Sequence, residues 1–172
     1  MLLPTQAAIL PIGPGSIMTQ EIKSGRSDAF PAVTGSNLEG KLFQIPTDLE
    51  SDLNVLIVAF KRKQQEDINP WIDELKKIKN NKFSIYEVPT LKQMNNFVRF
   101  NINNGMRYGI PSKEQREKTI TLYLDKESFK KRLAIKTEDE IIVFVVNKSG
   151  KILHREQGLF TKAKLNKLKK FL

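Results

Sequence analysis

The segment Asn54-Val55-Leu56-Ile57-Val58-Ala59-Phe60 constrains the fold more than any other stretch of this 172-residue chain. A strand sends successive side chains to opposite faces, so an unbroken apolar run of β-branched and aromatic type predicts a strand covered on both sides. The chain must then supply a layer for each face of a sheet, with this strand as the candidate for its centre. One covering element follows directly. Beyond the polar run Lys61 to Asp67, residues Ile68, Trp71, Leu75 and Ile78 keep helical spacing, and Pro70 either kinks that helix or starts a second segment capped by Asn69.

The remaining pattern alternates. Asn37-Leu38-Glu39-Gly40-Lys41 reads as a hairpin turn leading into Leu42-Phe43-Gln44-Ile45. Phe83 to Val88 reads as a strand ended by Pro89. Thr90, with Gln93 three residues on, predicts a helix start, with Leu91, Met94, Phe97, Val98 and Ile102 as its apolar stripe and Asn104-Gly105 as its stop. A connection from Met106 to Lys118 is long for a compact domain and reads as helical in part at Ser112 to Gln115. Thr119 to Leu124 predicts a strand and Lys126 to Leu133 a short helix. A hairpin of Ile141 to Val146 with Lys151 to Arg155 turns at Asn147-Lys148-Ser149-Gly150, and a last helix runs from Thr161 to Leu172 with Leu165, Leu168 and Leu172 inward. This order predicts an α/β three-layer sandwich: a mixed central sheet, parallel in its first half with an antiparallel edge, an N-terminal hairpin, and helices on both faces. Residues 1–29, rich in Pro, Gly and Ser, read as a flexible arm ahead of one domain spanning residues 30–172.

Composition removes several chemistries. With no cysteine and one histidine, His154, the chain has no thiolate nucleophile, no disulfide framework and no Cys- or His-based metal site, and no metal or cofactor is expected. His154, beside Arg155 and Glu156, reads as a solvent-facing strand residue. No run approaches the length of a spanning helix, and the first residues lack a secretory or transit pattern. The formal charge of +10 is uneven: residues 1–60 sum to −3 and the remainder to +13. Lys61-Arg62-Lys63 stands just before a helix, where the positive end of the helix dipole disfavours cations. A bound phosphate, a carboxylate or an acidic partner would relieve it, and so would Glu66 and Asp67 in the first turn together with solvent. Arg107 and Tyr108, in the long connection, are placed to face the same end of the sheet as a carboxylate or phosphate fork and a contact residue, or to cap the preceding helix and pack. Trp71 reads as core. The lysines of the last helix read as a solvated face, with contact to a membrane surface as the alternative.

A resemblance extends this reading over residues 30–172. Phe30-Pro31, Leu38-Glu39-Gly40-Lys41, Pro46 with Asp48-Leu49, and the Val55 to Phe60 strand resemble the opening of the peroxiredoxin-like branch of the thioredoxin fold. Pro70-Trp71-Ile72-Asp73-Glu74-Leu75 resembles the proline-kinked thioredoxin helix. The resemblance puts the two redox cysteine positions on Arg62 and Gln65, so both thiols are gone. The cis-proline that thioredoxins place before the fourth strand is also missing, because Thr137-Glu138-Asp139-Glu140 precedes Ile141. Gln64-Gln65 followed by Trp71, and Gly105-Met106-Arg107-Tyr108-Gly109-Ile110-Pro111 followed by Gln115 and Thr119 to Tyr123, resemble the thioredoxin-like assembly factors of the mitochondrial ATP synthase membrane sector, the Atp-ten family, and their shorter bacterial relatives.

That resemblance implies a non-catalytic, redox-inactive protein that binds a protein client, such as an ATP synthase membrane subunit; the basic turn and the long connection make Lys61, Arg62, Lys63, Gln64, Gln65, Arg107 and Tyr108 the expected contact residues. From the leader and span reading, the expected location is cytoplasmic or peripheral to the inner membrane, mitochondrial if the leader is atypical. Two other classes stay open: a peroxiredoxin-like enzyme with non-thiol chemistry, and a basic domain binding an anionic ligand, nucleic acid or acidic lipid. Few aromatic residues interleave with the basic ones, which counts against base stacking and makes nucleic acid the least favoured partner.

Overall fold

The computed structural model describes residues 28–78 and 82–172, so most of the N-terminal arm read from the sequence lies outside the described residues. The first hairpin forms as its turn residues dictate. β1 (Val33–Asn37) pairs antiparallel with β2 (Leu42–Ile45). The Asn37 carboxamide oxygen accepts from the backbone N–H groups of Glu39 and Lys41 at 3.1 and 2.8 Å, and Gly40 takes φ +87°, where a side chain would be strained.

The apolar run becomes β3 (Leu53–Ala59), buried from Asn54 onward, and Arg62–Gln64 forms a single 3-10 turn leading into α1 (Gln65–Ile78). Pro70 lies inside α1, which continues through it as one helix. β4 (Phe83–Lys92), α2 (Asn96–Gly109), α3 (Lys113–Glu117), β5 (Ile120–Leu124) and α4 (Lys126–Arg132) follow. The chain then forms β6 (Ile142–Asn147), β7 (Ile152–Gln157) and α5 (Lys162–Leu168), with a 3-10 turn at Lys169–Phe171. Gly150, at φ +88°, closes the β6–β7 turn with its Cβ position 3.0 Å from the Pro46 ring.

The described strands make one seven-stranded mixed sheet in the order β2-β1-β5-β4-β3-β6-β7. β4 is its middle strand, with β3 beside it, so the expected centre is displaced by one position. Only β3–β4 and β4–β5 pair in parallel, and antiparallel pairs lie on both sides of them rather than at one edge. Alternation along β3 divides the core. Leu56, Val58 and Phe60 join Phe30, Tyr86, Phe129 and Phe144 on the α4 side of the sheet. Val55, Ile57 and Ala59 join Trp71, Leu75, Leu165 and Leu168 on the side covered by α1 and α5.

One stretch departs from the sequence reading. β4 does not stop at Pro89 but runs on to Lys92, and no helix starts at Thr90. Pro89 pairs with Ala59, the last residue of β3, and Thr90 pairs with Leu122 of β5, so the proline stands where β4 passes from one neighbour to the next. Gln93 N–H then donates to Leu124 O at 3.1 Å, which leaves it no part in a capping box. The helix begins at Asn96 under an Asn95 cap and continues through Gly105 as far as Gly109, so Asn104-Gly105 is not its stop.

Candidate functional site

The β3–α1 junction brings Lys61, Arg62, Lys63, Gln64 and Gln65 into one turn, and these side chains do different things. Lys61, Arg62 and Lys63 are exposed. Lys61 Nζ lies 2.5 Å from Asp139 Oδ1, and this cation beside Asp139 holds its carboxyl below the usual range, with the Thr137 hydroxyl adding to the effect. Compensation for the crowded cations therefore reaches Lys61 from the far side of the chain, whereas Glu66 and Asp67 occupy the first turn of α1. Arg62 and Lys63 make no ion pair among the described residues.

Gln64 is not available to a partner, which corrects its place among the contact residues. It is 1% exposed. Its Oε1 accepts from Phe60 N–H at 2.8 Å and Lys61 N–H at 3.0 Å, and its Nε2 donates to Glu138 O at 2.9 Å. One carboxamide thus satisfies two donors at the end of β3 and fixes the turn to the segment before β6. That segment is where the thioredoxin pattern would have its cis-proline. The cis X-Pro bond among the described residues is Ile45-Pro46, after β2.

Gln65 leads to a residue that the sequence reading missed. Its Nε2 donates to Asn69 Oδ1 and to Glu87 Oε2, both at 3.0 Å, and Gln115 Nε2 of α3 donates to Glu87 Oε1 at 3.0 Å. Glu87 sits in β4, paired with Ile57, and is 3% exposed. It has no cationic partner among the described residues. A buried carboxylate is costly without compensation, and here two neutral amides supply it. Glu87 lines a cleft of about 30 Å³ with Ile72, Lys76, Ile85, Glu114, Gln115 and Lys118. That is room for a water or two and too little for an organic substrate.

A second chain of contacts starts from Arg116, next to Gln115. Arg116 Nε lies 2.5 Å from Glu39 Oε1, and its NH1 donates to Ile110 O at 3.0 Å and Pro111 O at 2.7 Å. Arg107 NH2 reaches Glu39 Oε2 at 3.4 Å. The Arg116 hydrogen bond, reinforced by the charge of Arg107, holds the Glu39 carboxyl below the usual range. Through Gln65, Glu87, Gln115, Arg116, Glu39 and Arg107 the two clusters read from the sequence are therefore tied into one framework. Arg107 lies in the last turn of α2 and Tyr108 beside it is exposed, so neither sits in a loop as the sequence reading had it.

The other singled-out residues separate from this site. Trp71 is fully buried, donates from Nε1 to Gly158 O at 3.2 Å and packs edge-on against Phe160. His154 is not a solvent-facing strand residue: its Nε2 lies 2.9 Å from Glu156 Oε1 and its ring stacks on Phe171 at 4.7 Å. In α5, Lys164 Nζ turns back to donate to Gln157 O and Leu159 O at 2.6 and 2.9 Å.

No family model matches the chain, and no curated protein matches its sequence. Solved structures do resemble it in fold. The exposed lipoprotein thioredoxin of Streptococcus pneumoniae superposes with a TM-score of 0.57 at 14% identity, over 83% of this chain and 100% of that one. The thioredoxin domain of a thiol-disulfide oxidoreductase of Bacteroides vulgatus gives 0.56 at 18% identity, over 86% and 97%. A thioredoxin-family thiol:disulfide interchange protein of Chlorobium tepidum gives 0.52 at 16%, over 85% and 96%. At such identities the likeness concerns architecture: this chain has a thioredoxin-like fold, and with no cysteine in its sequence it has no thiol with which to carry out thiol-disulfide exchange.

Proposed function

We propose that this protein is a redox-inactive thioredoxin-like domain that acts by binding a protein client, in assembly of the ATP synthase membrane sector. The observation that carries this reading is the β3–α1 turn. Where the resemblance puts two thiols, the chain has an exposed Arg62 and a Gln65 committed to Glu87. The turn to which the resemblance assigns two thiols is here a cationic surface turn over a hydrogen-bonded framework. That framework also holds the segment carrying Arg107 and Tyr108, so the exposed residues of both clusters, Lys61, Arg62, Lys63, Arg107 and Tyr108, make the contact surface. The ATP synthase client rests on the resemblance of the Gly105 to Pro111 segment and Gln115 to the assembly factors.

The test is capture of crosslinked clients by the full chain in its native host, identified by mass spectrometry. An ATP synthase membrane subunit is the expected partner. Recovery of no protein above a mock control overturns client binding, and recovery of a different client overturns the ATP synthase part. Combined Arg62→Ala and Arg107→Ala substitution is expected to lower recovery about tenfold with folding intact, since both side chains are exposed and arginines are frequent interface hot spots. Undiminished recovery moves the contact surface elsewhere.

A further inference from the structure

α2 is a helix of 14 residues of which none is buried, although its sequence includes Phe97, Val98, Phe100, Ile102, Met106 and Tyr108. It meets the body of the protein with Arg99, Ile102, Asn103 and Met106 half-buried. Arg99 lies over the Tyr123 ring at 4.5 Å and donates to Tyr123 O at 3.3 Å, while Tyr123 donates its hydroxyl to Asn103 Oδ1 at 2.8 Å. On the opposite side, helical spacing aligns Phe97, Phe100, Asn101, Asn104 and Tyr108. Phe97 is 75% exposed, Phe100 63% and Tyr108 90%. An amphipathic helix ordinarily turns its apolar face inward; this one has half-buried Ile102 and Met106 and also leaves a row of aromatic side chains facing out. A row of exposed aromatic side chains on one helix face marks an interaction surface.

Two features say what covers it. From Val88 to Lys113 the chain contains no Asp or Glu. Arg99 faces Tyr123 and Lys113 pairs with Glu117. Lys92, however, has no ion-pair partner among the described residues, and Arg107, beside Tyr108, shares the single Glu39 carboxylate with Arg116, so a positive surplus stands beside the stripe and attracts negative charge. Asn101 and Asn104 lie within the stripe, and sinking them among acyl chains would strand their amides without hydrogen-bond partners. A polypeptide can supply those partners, and aromatic residues with Arg suit a protein interface. We propose that the outward face of α2 docks an acidic amphipathic segment of a protein client. This rests on the client-binding reading above and names the chemistry of the partner.

The experiment titrates the isotopically labelled full chain with two synthetic amphipathic helical peptides that share one leucine face. One has glutamates on its polar face and the other lysines. The glutamate peptide is expected to bind at least about tenfold more tightly and to shift the α2 amide signals; Phe97→Ser with Phe100→Ser, or Asn101→Glu alone, is expected to weaken it by about tenfold or more. Because none of these residues is buried, the variants are expected to retain the parent melting temperature and circular dichroism. Equal affinity for the two peptides overturns the proposal, as do shifts confined to other elements. It is also overturned if vesicles of equal parts phosphatidylcholine and phosphatidylglycerol bind with the same Phe97/Phe100 dependence while the glutamate peptide does not. Self-association of the wild-type chain that the Phe variants abolish would make a second copy the occupant, with the same consequence. If the double Phe variant captures the native client as well as wild type, docking on α2 fails while client binding stands; if wild type captures nothing, client binding itself fails.

Discussion

Gln64 shows how one side chain replaces a whole local framework. Its carboxamide satisfies the backbone N–H groups of Phe60 and Lys61 and meets the carbonyl of Glu138, 74 residues away. Removing it strands the buried Phe60 N–H and leaves the part-buried Lys61 N–H and Glu138 O without this partner, so Gln64→Ala is expected to cost about 2–3 kcal/mol in urea-unfolding stability. Substituting its exposed neighbour Lys63 by Ala should change stability by less than about 0.5 kcal/mol. The sequence placed both residues in the right turn but could not rank them, because side-chain burial there depends on the Glu138 segment. Glu87 was hidden for a related reason. A lone glutamate in an apolar strand reads as a solvent-facing position, and the glutamines that make its burial tolerable come from 22 and 28 residues away.

At the scale of elements, what could be read depended on whether the signal was local. The Asn37–Lys41 turn, β3, α4 and the β6–β7 hairpin carry their own turn residues, apolar runs or caps, and all form at or within a residue or two of the expected bounds. The β4–α2 boundary does not. Pro89 would end a strand with a single neighbour, and only the handover from β3 to β5 lets the strand continue. Thr90 and Gln93 mimic a capping box, while Asn95, whose Oδ1 accepts from Val98 N–H at 3.0 Å, is the cap in use. Since α2 buries none of its residues, it leans on that cap unusually heavily. Asn95→Ala is expected to lower the local stability of α2 by about 1 kcal/mol, seen as faster amide exchange from Val98 through Asn103 while β3 and β4 keep their protection. Equal acceleration in the sheet would show that α2 unfolds only with the whole domain.

For the molecule as a whole, the carboxylates that join distant segments set the response to acid. Glu39 is held below its ordinary range chiefly by Arg116, Glu138 by Lys126 and then Lys130, and Asp139 by Lys61. A carboxyl whose folded-state pKa is depressed stabilises the fold above its unfolded pKa, and that contribution is lost as pH falls through the folded value. The melting temperature is therefore expected to hold from neutrality to about pH 5 and to fall progressively below about pH 4. Glu138→Gln should lower the plateau and flatten the decline, since its share no longer titrates. An acid decline just as steep in that variant would move the effect to other carboxylates.

The chain's one tryptophan, Trp71, is sealed between Gly158 and Phe160, whereas α2 rests on Tyr123. Indole emission is thus an intrinsic optical gauge of the α1–α5 layer that needs no attached dye. Occupation of the α2 face should leave that emission unchanged, and unfolding should shift it to the red. A ligand that alters the emission without unfolding the domain would reveal a rearrangement propagated through the sheet, which turns this buried ring into a means of telling docking apart from conformational transmission.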